Sequence, residues 1–304
     1  MPALSSLRPL IFLLFLGTSW GFYFSLLKIA VQSGISYIGI MTLATLGVGV
    51  GMCLIALVRR RKPGWSRRHH GFYLVCALSG YLVPMVVEVW VIGHMPAGVL
   101  TLIVSMAPLA TLLIAWLVKT DRVDLARIGG VGLGAVAIFV VLLPGVHASE
   151  SVAWRWLLLA AIVPFCYAIH HNFAARFWPG NDDSYQIACG EAIYASLLLL
   201  LVSLFTWQWS DVRAWNIGHS AILVMALISL VDIYLYFELI RIKGPIYTSH
   251  ANYFMIVSGV FWGMVIFAER PGPMTWLSGA MLIASLYLIS DYRRKEEPRD
   301  AETG

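Results

Sequence analysis

Long apolar blocks separated by short polar breaks run along the whole chain. The hydrocarbon core of a bilayer is about 30 Å thick, and an α-helix needs about 20 predominantly apolar residues to cross it. Runs such as LLLLLVSLF at residues 197–205 show no alternation of apolar and polar positions, which favours helices over membrane strands. The pattern predicts ten transmembrane helices: Pro9–Leu27, Ile35–Val58, Gly71–Ile92, Ala97–Val118, Leu125–Leu143, Trp154–Ala174, Tyr185–Trp207, His219–Ile240, Pro245–Ala268 and Met274–Ser290.

Composition agrees with an integral membrane protein. Hydrophobic residues make up 60% of the 304 positions and charged residues only 12%, against roughly 25% charged in soluble domains. The first apolar block is too long for a signal peptide and is followed by nine more, so we interpret it as a true helix. The final stretch, DYRRKEEPRDAETG at residues 291–304, is charged and is expected to be a disordered tail outside the bilayer.

The distribution of lysine and arginine predicts the orientation. Of the 21 such residues, four lie in the loops after the odd-numbered segments, namely Lys28, Arg155, Arg213 and Arg270. The remaining seventeen lie at the two termini and in the loops after the even-numbered segments. Because cytoplasmic loops carry the excess of positive charge, both termini are predicted to be cytoplasmic in an inner (plasma) membrane. The basic cluster RRRKPGWSRR at residues 59–68 is interpreted as a topology anchor at lipid phosphates, not as a nucleic-acid site.

Motifs of soluble enzyme chemistry are not found in the sequence. HExxH, GxSxG and a Walker-type glycine loop are all missing, so neither an enzyme nor an ATP-driven pump is predicted, and no cofactor is expected. The four cysteines, Cys53, Cys76, Cys166 and Cys189, lie inside predicted helices. They are interpreted as small apolar packing residues, neither a disulfide framework nor metal ligands.

Ten helices divide into two groups of five, and an odd number in each group requires opposite insertion of the two halves. Three charged positions recur at a spacing of 148 residues: Asp121 and Arg122 match Glu269 and Arg270, and Lys28 matches Arg176. The predicted organisation is therefore a first five-helix repeat at 1–148, a second, inverted repeat at 149–290 and a cytoplasmic charged tail at 291–304.

Three stretches carry a resemblance to a known family. GTSWGFYFSLLKIAV in segment 1, MPAGVLTLIVSMAPLATLLIAWLVKTDRVDLARIGGVGLGAVAIFV around segments 4 and 5, and AERPGPMTWLSGAMLIASLYL near the end resemble the EamA family of the drug/metabolite transporter superfamily. The resemblance implies two inverted five-helix repeats around a central cavity and, for many members, export of small metabolites such as amino acids. The chain departs from the family pattern in lacking an arginine in segment 2 and in carrying Thr120-Asp121-Arg122 where Gly-Glu-Arg is usual.

Ionisable residues inside the predicted helices indicate the candidate site. A charged side chain at the bilayer centre costs about 2.5–3.5 kcal/mol on insertion scales, so such groups usually face a bundle interior or a wet cavity. Glu238 is explained by an ion pair with Arg241 three positions later at the interface. Glu191 lies near the start of its helix, and we expect it to snorkel to the interface. Asp232 lies near the middle of its helix, where neither explanation applies.

Helical spacing places polar side chains in stripes on four segments, together with an aromatic pair on segment 1. A single such residue is equally explained by a hydrogen bond to a neighbouring helix. The convergence of several stripes, and the cavity-lining segments 1, 3, 4, 6, 8 and 9 that the resemblance implies, favour a shared cavity. The predicted substrate-binding residues are Trp20, Phe24, Tyr81, Glu88, Tyr167, His171, Ser229, Asp232, Tyr236, Thr248 and Asn252.

Two adjacent histidines face different directions, since neighbouring helical residues are about 100° apart. We expect His171 to face the cavity and His170 to lie at a helix contact. Proton coupling through Asp232 or Glu88 is a hypothesis, because histidine and buried carboxylates can bind and release protons during transport.

The predicted function is a secondary transporter, with export as the expected direction, that moves a small metabolite across the lipid bilayer by alternating access. Prolines and a glycine are the expected bending points: Pro84, Pro108, Pro164 and Gly259. No lysine or arginine lies at mid-span, which disfavours phosphate substrates and favours amino acids or related amphipathic compounds. A channel, a sensor or a scaffold remains the alternative.

Overall fold

The computed structural model describes residues 2–117, 125–142 and 153–296, and among these residues the regular structure is entirely helical. A π-helical turn, Leu78–Leu82, connects α3 and α4. The α-helices are α1 Pro2–Gln32, α2 Tyr37–Arg59, α3 Arg67–Ala77, α4 Val83–Ile92, α5 Ala97–Val104, α6 Ala107–Leu117, α7 Leu125–Leu142, α8 Trp154–Ala160, α9 Ile162–Arg176, α10 Ser184–Thr206, α11 Ile217–Ser249, α12 Ala251–Phe267 and α13 Pro273–Glu296.

Each predicted segment is largely helical in its described residues, but α11 continues past a kink at Gly244 and joins segment 8 to the start of segment 9. Within the described ranges, seven stretches are long and apolar enough to cross a membrane, and Ala251–Phe267 is a shorter apolar helix. An all-helical membrane protein is therefore confirmed, whereas the number of ten crossings stays a prediction.

The last helix continues to Glu296, so the expectation of a disordered tail from residue 291 is wrong for its first six residues. Arginine, lysine and glutamate are good helix formers, which accounts for the extension.

Three of the predicted bending prolines lie in the first turn after a break in their segments. Pro84 follows the π-helical turn, Pro108 follows the gap between α5 and α6, and Pro164 follows the break between α8 and α9. Proline lacks the N–H that would continue the preceding helix, but it is tolerated in a first turn. Segments 3, 4 and 6 are thus interrupted just before these prolines, and bending there stays a prediction.

The fourth predicted bending point, Gly259, lies inside the continuous helix α12. Its missing side chain serves close packing: a Cβ there would lie 2.3 Å from the Cγ2 of Thr101, and Gly21 of α1 abuts the Gly259 backbone. Small residues let membrane helices approach in this way. The actual break in this region is at Gly244 in α11, whose φ of 81° lies in the left-handed region that favours glycine.

Helix α1 packs between α11 and α12, α2 packs against α10, and α7 packs against α13. Two clusters of buried apolar residues fill the bundle, one around α1, α4 and α5 and the other around α3, α10 and α11. The first and second halves of the chain are thus interleaved, because α1 lies against α11 and α2 lies against α10. Residues from both halves consequently meet at the centre of the bundle.

Ion pairs hold the two ends of α1. Near its start Arg8 lies 3.6 Å from Glu238, which also accepts hydrogen bonds from Arg241 at 2.8 Å and from Ser184 at 2.9 Å. The predicted Glu238–Arg241 ion pair is confirmed. Near the other end Lys28 donates to Glu269 at 2.8 Å. Arg8 and Lys28 are separated by roughly 30 Å at 1.5 Å per residue, so these clusters mark opposite ends of the bundle.

Candidate functional site: a central acidic and aromatic cavity

A cavity of about 170 Å³ lies at the centre of the bundle, between the two end clusters. Helices from both halves of the chain line it, including α1, α2, α9, α11 and α12 together with the π-helical turn. Its wall comprises Trp20, Tyr23, Phe24, Ala44, Thr45, Val48, Gly80, Tyr81, Met85, Val104, Ala107, Tyr167, His170, His171, Glu191, Ser229, Asp232, Ile233, Tyr236, Asn252 and Met255.

The structure brings all but two of the sequence-predicted site residues to this cavity: Trp20, Phe24, Tyr81, Tyr167, His171, Ser229, Asp232, Tyr236 and Asn252. The two exceptions are Glu88 and Thr248. Glu88 is fully buried and accepts a 2.7 Å hydrogen bond from the Tyr167 hydroxyl, so it lies behind the wall that Tyr167 forms. Thr248 is buried beside the break in α11 and donates to the carbonyl of Gly244 at 3.0 Å.

Glu88 lies outside the cavity although it shares α4 with a residue of the wall. Tyr81 and Met85 both line the cavity, so the π-helical turn does not turn α4 away from it. Glu88 lies one helical turn beyond Met85, where the hydroxyl of Tyr167 from α9 donates to it. Glu88 is therefore separated from the cavity by a side chain of another helix.

Asp232 is anchored by its contact with α1. The Ser19 hydroxyl donates to Oδ1 of Asp232 at 2.6 Å, and the adjacent Trp20 places its ring 6.3 Å from the ring of Tyr236. Because Tyr236 follows Asp232 by one helical turn, the carboxylate and two aromatic rings border the same part of the cavity. This is the kind of environment in which a small cation is stabilised by charge and by ring faces together.

His170 and Glu191 form a second polar group in the cavity wall. Nε2 of His170 lies 2.9 Å from Oε1 of Glu191, and the imidazole stacks on Tyr236 with ring centroids 5.4 Å apart. We expected His170 at a helix contact only; it makes that contact and also lines the cavity. His171 lines the cavity as predicted, with its ring 5.3 Å from Tyr236.

The expectation that Glu191 snorkels to the interface is wrong, because its side chain is fully buried. Helices α2, α3 and α11 pack against α10, and His170 of α9 lies against the carboxylate. A signal for this burial was present beside it: Gly190 packs so tightly that a Cβ would lie 2.1 Å from the Tyr73 ring. A run of small residues around a membrane glutamate indicates close helix packing, which excludes a side chain reaching for water.

Cys76 joins the pair of His170 and Glu191. The potential ligand atoms of these three buried residues all lie within 4.8 Å of one another. The sequence contains no local motif that would link them, since they come from α3, α9 and α10. The cluster was therefore not predicted from the sequence, in which Cys76 was interpreted as a packing residue.

The cavity wall is acidic. Glu191 and Asp232 are its carboxylates, and none of the described lining residues is lysine or arginine. The expectation that no lysine or arginine lies at mid-span therefore holds for the described residues of this wall. Polar capacity also comes from Thr45, Ser229 and Asn252, while tyrosine and tryptophan rings provide most of the surface.

A part-buried ion pair lies one helical turn beyond the wall residue Phe24. Besides Lys28, Glu269 accepts the backbone N–H groups of Ala97 at 2.8 Å and Gly98 at 3.3 Å, which are the first residues of α5. A carboxylate at a helix N-terminus is stabilised by the unsatisfied N–H groups there. Glu269 thus ties together the ends of α1, α5 and α12. Its predicted counterpart, the pair Asp121 and Arg122, lies outside the described residues.

These features, an interleaved bundle of apolar helices around a central polar cavity, define a membrane transporter. The model of the EamA-like transporter family matches the chain twice, at residues 7–143 and 154–291. The chain belongs to this family, and with it to the drug/metabolite transporter superfamily. The family assignment made from the sequence is confirmed, and the two matches show a two-repeat organisation.

Two curated relatives are transporters by name. The chain is 22% identical over 274 residues to a probable terminal-alkyne amino-acid exporter of Streptantibioticus cattleyicolor, covering 90% of each chain. It is 24% identical over 247 residues to a riboflavin transporter of Brucella anthropi, covering 80% of this chain and 84% of the relative. A crystal structure with 15% sequence identity superimposes with a TM-score of 0.64 over 94% of this chain and 98% of the other, which shows a shared fold.

Proposed function

We propose that the protein is a secondary transporter that exports a small amphipathic metabolite, such as an amino acid or a related amine, by alternating access. The central cavity carries this proposal, because both family matches contribute to it and its wall combines carboxylates with aromatic rings. In this proposal the units at 1–148 and 149–290 are inverted repeats that rock about the cavity, and both termini face the cytoplasm of an inner membrane.

Substrate recognition is assigned to the part of the cavity around Asp232. An ammonium group would lie against this carboxylate and between the rings of Trp20 and Tyr236, which supply cation–π stabilisation. Phe24, Tyr81 and Tyr167 would contact the apolar part of the substrate. Hydrogen-bonding partners for its other polar atoms would be His171, Ser229 and Asn252.

Alternating access requires that the ion pairs at the two ends open in turn. The Lys28–Glu269 pair ties α1 to α5 and α12, so its separation would open that end of the cavity. The Glu238 cluster ties α1 to α10 and α11 at the other end. A substrate that neutralises Asp232 would lower the cost of moving this carboxylate between the two open states.

Proton coupling is the proposed energy source. Asp232 is the preferred proton carrier of the two originally considered, because it lines the cavity whereas Glu88 lies behind Tyr167. A carboxylate that binds either a proton or a cationic substrate, but not both, would exchange one for the other across the membrane.

The decisive experiment is counterflow in proteoliposomes. Purified protein is reconstituted with an unlabelled amino acid or amine inside, and uptake of the labelled compound is followed. Saturable uptake that depends on the internal substrate supports a carrier. Unsaturable ion current would identify a channel. The proposal is contradicted if a panel of amino acids, amines, nucleobases and organic acids shows neither saturable uptake nor ion current. Inside-out vesicles with an imposed proton gradient then test direction and coupling.

A further inference from the structure

Three side chains of different chemistry converge beside the cavity from helices that belong to both halves of the chain. We propose that Cys76, His170 and Glu191 form a binding site for a divalent transition-metal ion, with Zn²⁺ as the best match. Thiolate, imidazole and carboxylate are the three ligand types that Zn²⁺ takes in proteins. Hard cations such as Mg²⁺ and Ca²⁺ prefer all-oxygen ligands, which this group does not offer.

The spacing of the donor atoms suits such an ion. Around tetrahedral Zn²⁺, with Zn–N of about 2.0 Å and Zn–S of about 2.3 Å, neighbouring ligand atoms lie roughly 3.3–3.7 Å apart. The ligand atoms here lie within 4.8 Å of one another, and His170 Nε2 lies 2.9 Å from Glu191 Oε1. These separations lie close to those that a tetrahedral Zn²⁺ requires.

The electrostatics of the group also favour a cation. Glu191 is fully buried, and its Oε2 has no hydrogen-bond partner among the described residues. An unsatisfied oxygen on a buried carboxylate is costly unless a positive charge compensates it. A Cys76 thiolate and the Glu191 carboxylate together would balance the two charges of Zn²⁺ while His170 remains neutral.

The site has an entry path and an open coordination position. His170 and Glu191 line the cavity, so an ion could reach them from its aqueous side. Gly80 makes room at this point, since a Cβ there would lie 3.1 Å from both Oε1 of Glu191 and Cε1 of His170. Three protein ligands with a fourth position open to water or a small ligand are typical of non-structural Zn²⁺ sites.

A bound ion would join the two halves of the transporter. Cys76 lies in the first family match, whereas His170 and Glu191 lie in the second. If the halves rock as proposed above, an ion held by all three ligands would restrain that movement and inhibit transport. This consequence rests on the proposed function, but metal binding itself does not.

Binding is tested on the full-length protein in lipid nanodiscs, after removal of metal with a chelator. We expect one Zn²⁺ per chain by calorimetric titration. Co²⁺, used as a spectroscopic substitute, is expected to give a thiolate-to-metal charge-transfer band in the near ultraviolet. Cys76→Ser should remove this band, and Cys76→Ser, His170→Gln and Glu191→Gln should each weaken Zn²⁺ binding by roughly 10- to 100-fold or more.

Two matched controls separate this site from other cysteines and histidines. Cys189→Ser removes another buried thiol on the same helix as Glu191. His69→Gln removes a histidine that does not line the cavity and whose Nε2 lies 3.0 Å from Oδ2 of Asp182. Both variants should bind Zn²⁺ like the wild type. Stoichiometric binding with equal affinity in Cys76→Ser, or a wild-type protein that shows no thiolate band with Co²⁺, overturns the proposal even if some variants fail to fold. A protein that binds Zn²⁺ but shows no counterflow would contradict only the proposed function.

Discussion

The two halves of the cavity wall differ in chemistry although they match the same family model. The first half contributes aromatic and small residues, including Trp20, Tyr23, Phe24 and Tyr81. The second half contributes every carboxylate and imidazole of the described wall: His170, His171, Glu191 and Asp232. Among the described residues of the first half, the buried carboxylate near the cavity is Glu88, which lies behind the wall and accepts a hydrogen bond from Tyr167.

The difference shows that two repeats of one family can contribute different types of side chain to a shared cavity. In the proposed function both halves keep similar helix packing, and one of them carries the groups that would bind protons or cations. Placing the charged groups in one half limits the number of buried charges, each of which is costly inside a bilayer. We infer that the first half shapes the cavity and that the second half provides its charge chemistry. Four predictions test this division, from the largest expected effect to the smallest.

The largest effect is expected from His170→Gln, because it removes the imidazole that lies 2.9 Å from the fully buried Glu191. Removing one partner of a buried polar pair costs about 1–3 kcal/mol, and more where the group left behind is charged. Denaturant unfolding in detergent should show a loss of this size. The adjacent His171→Gln is the matched control, and a comparable loss in that variant would contradict the importance of the pair.

Asp232→Asn should abolish most transport while leaving the fold intact. A hydrogen bond to a charged group contributes about 1.5–3 kcal/mol, so kcat/KM in the counterflow assay should fall by roughly 10- to 100-fold. Asp211→Asn makes the same exchange at an exposed loop position and should transport like the wild type. Full activity in Asp232→Asn would remove this carboxylate from the mechanism and weaken the contrast between the halves.

Tyr167→Phe tests a contact in which the second half donates a hydrogen bond to a carboxylate of the first. The variant removes the 2.7 Å hydrogen bond from the Tyr167 hydroxyl to the buried Glu88. The free energy of unfolding should fall by about 1–3 kcal/mol. Tyr287→Phe, at an exposed tyrosine of α13, should leave it unchanged. An equal change in both variants would mean that the Tyr167–Glu88 bond contributes nothing to stability.

Trp20→Phe should have the smallest effect, because it keeps an aromatic ring on the first-half wall. Cation–π contributions are about 0.5–1 kcal/mol at exposed sites, which corresponds to a rise in KM of roughly two- to fivefold. Trp276→Phe, which changes an exposed tryptophan of α13, should leave KM unchanged. A loss as large as that of Asp232→Asn would show that the first half contributes binding energy beyond shape.

Helical periodicity predicted much of the wall correctly. Trp20, Phe24, Asp232 and Tyr236 lie on regular stretches of α1 and α11, where the spacing of residues fixes which of them share a face. Glu88 was misplaced because it lies one turn beyond the wall residue Met85 and is covered by Tyr167, and the spacing within one helix does not show which side chain another helix brings.

The sequence alone determined that the chain is a helical membrane protein of the EamA-like family, because hydrophobic runs must match the bilayer and their order is written along the chain. The tertiary structure decided the depth and partners of the polar groups. Glu191 is buried instead of snorkelling, and Cys76 lies beside it, since α3, α9 and α10 come together there. Contacts between helices depend on how side chains of distant segments fit together in space, and the spacing of residues within one helix does not encode that fit.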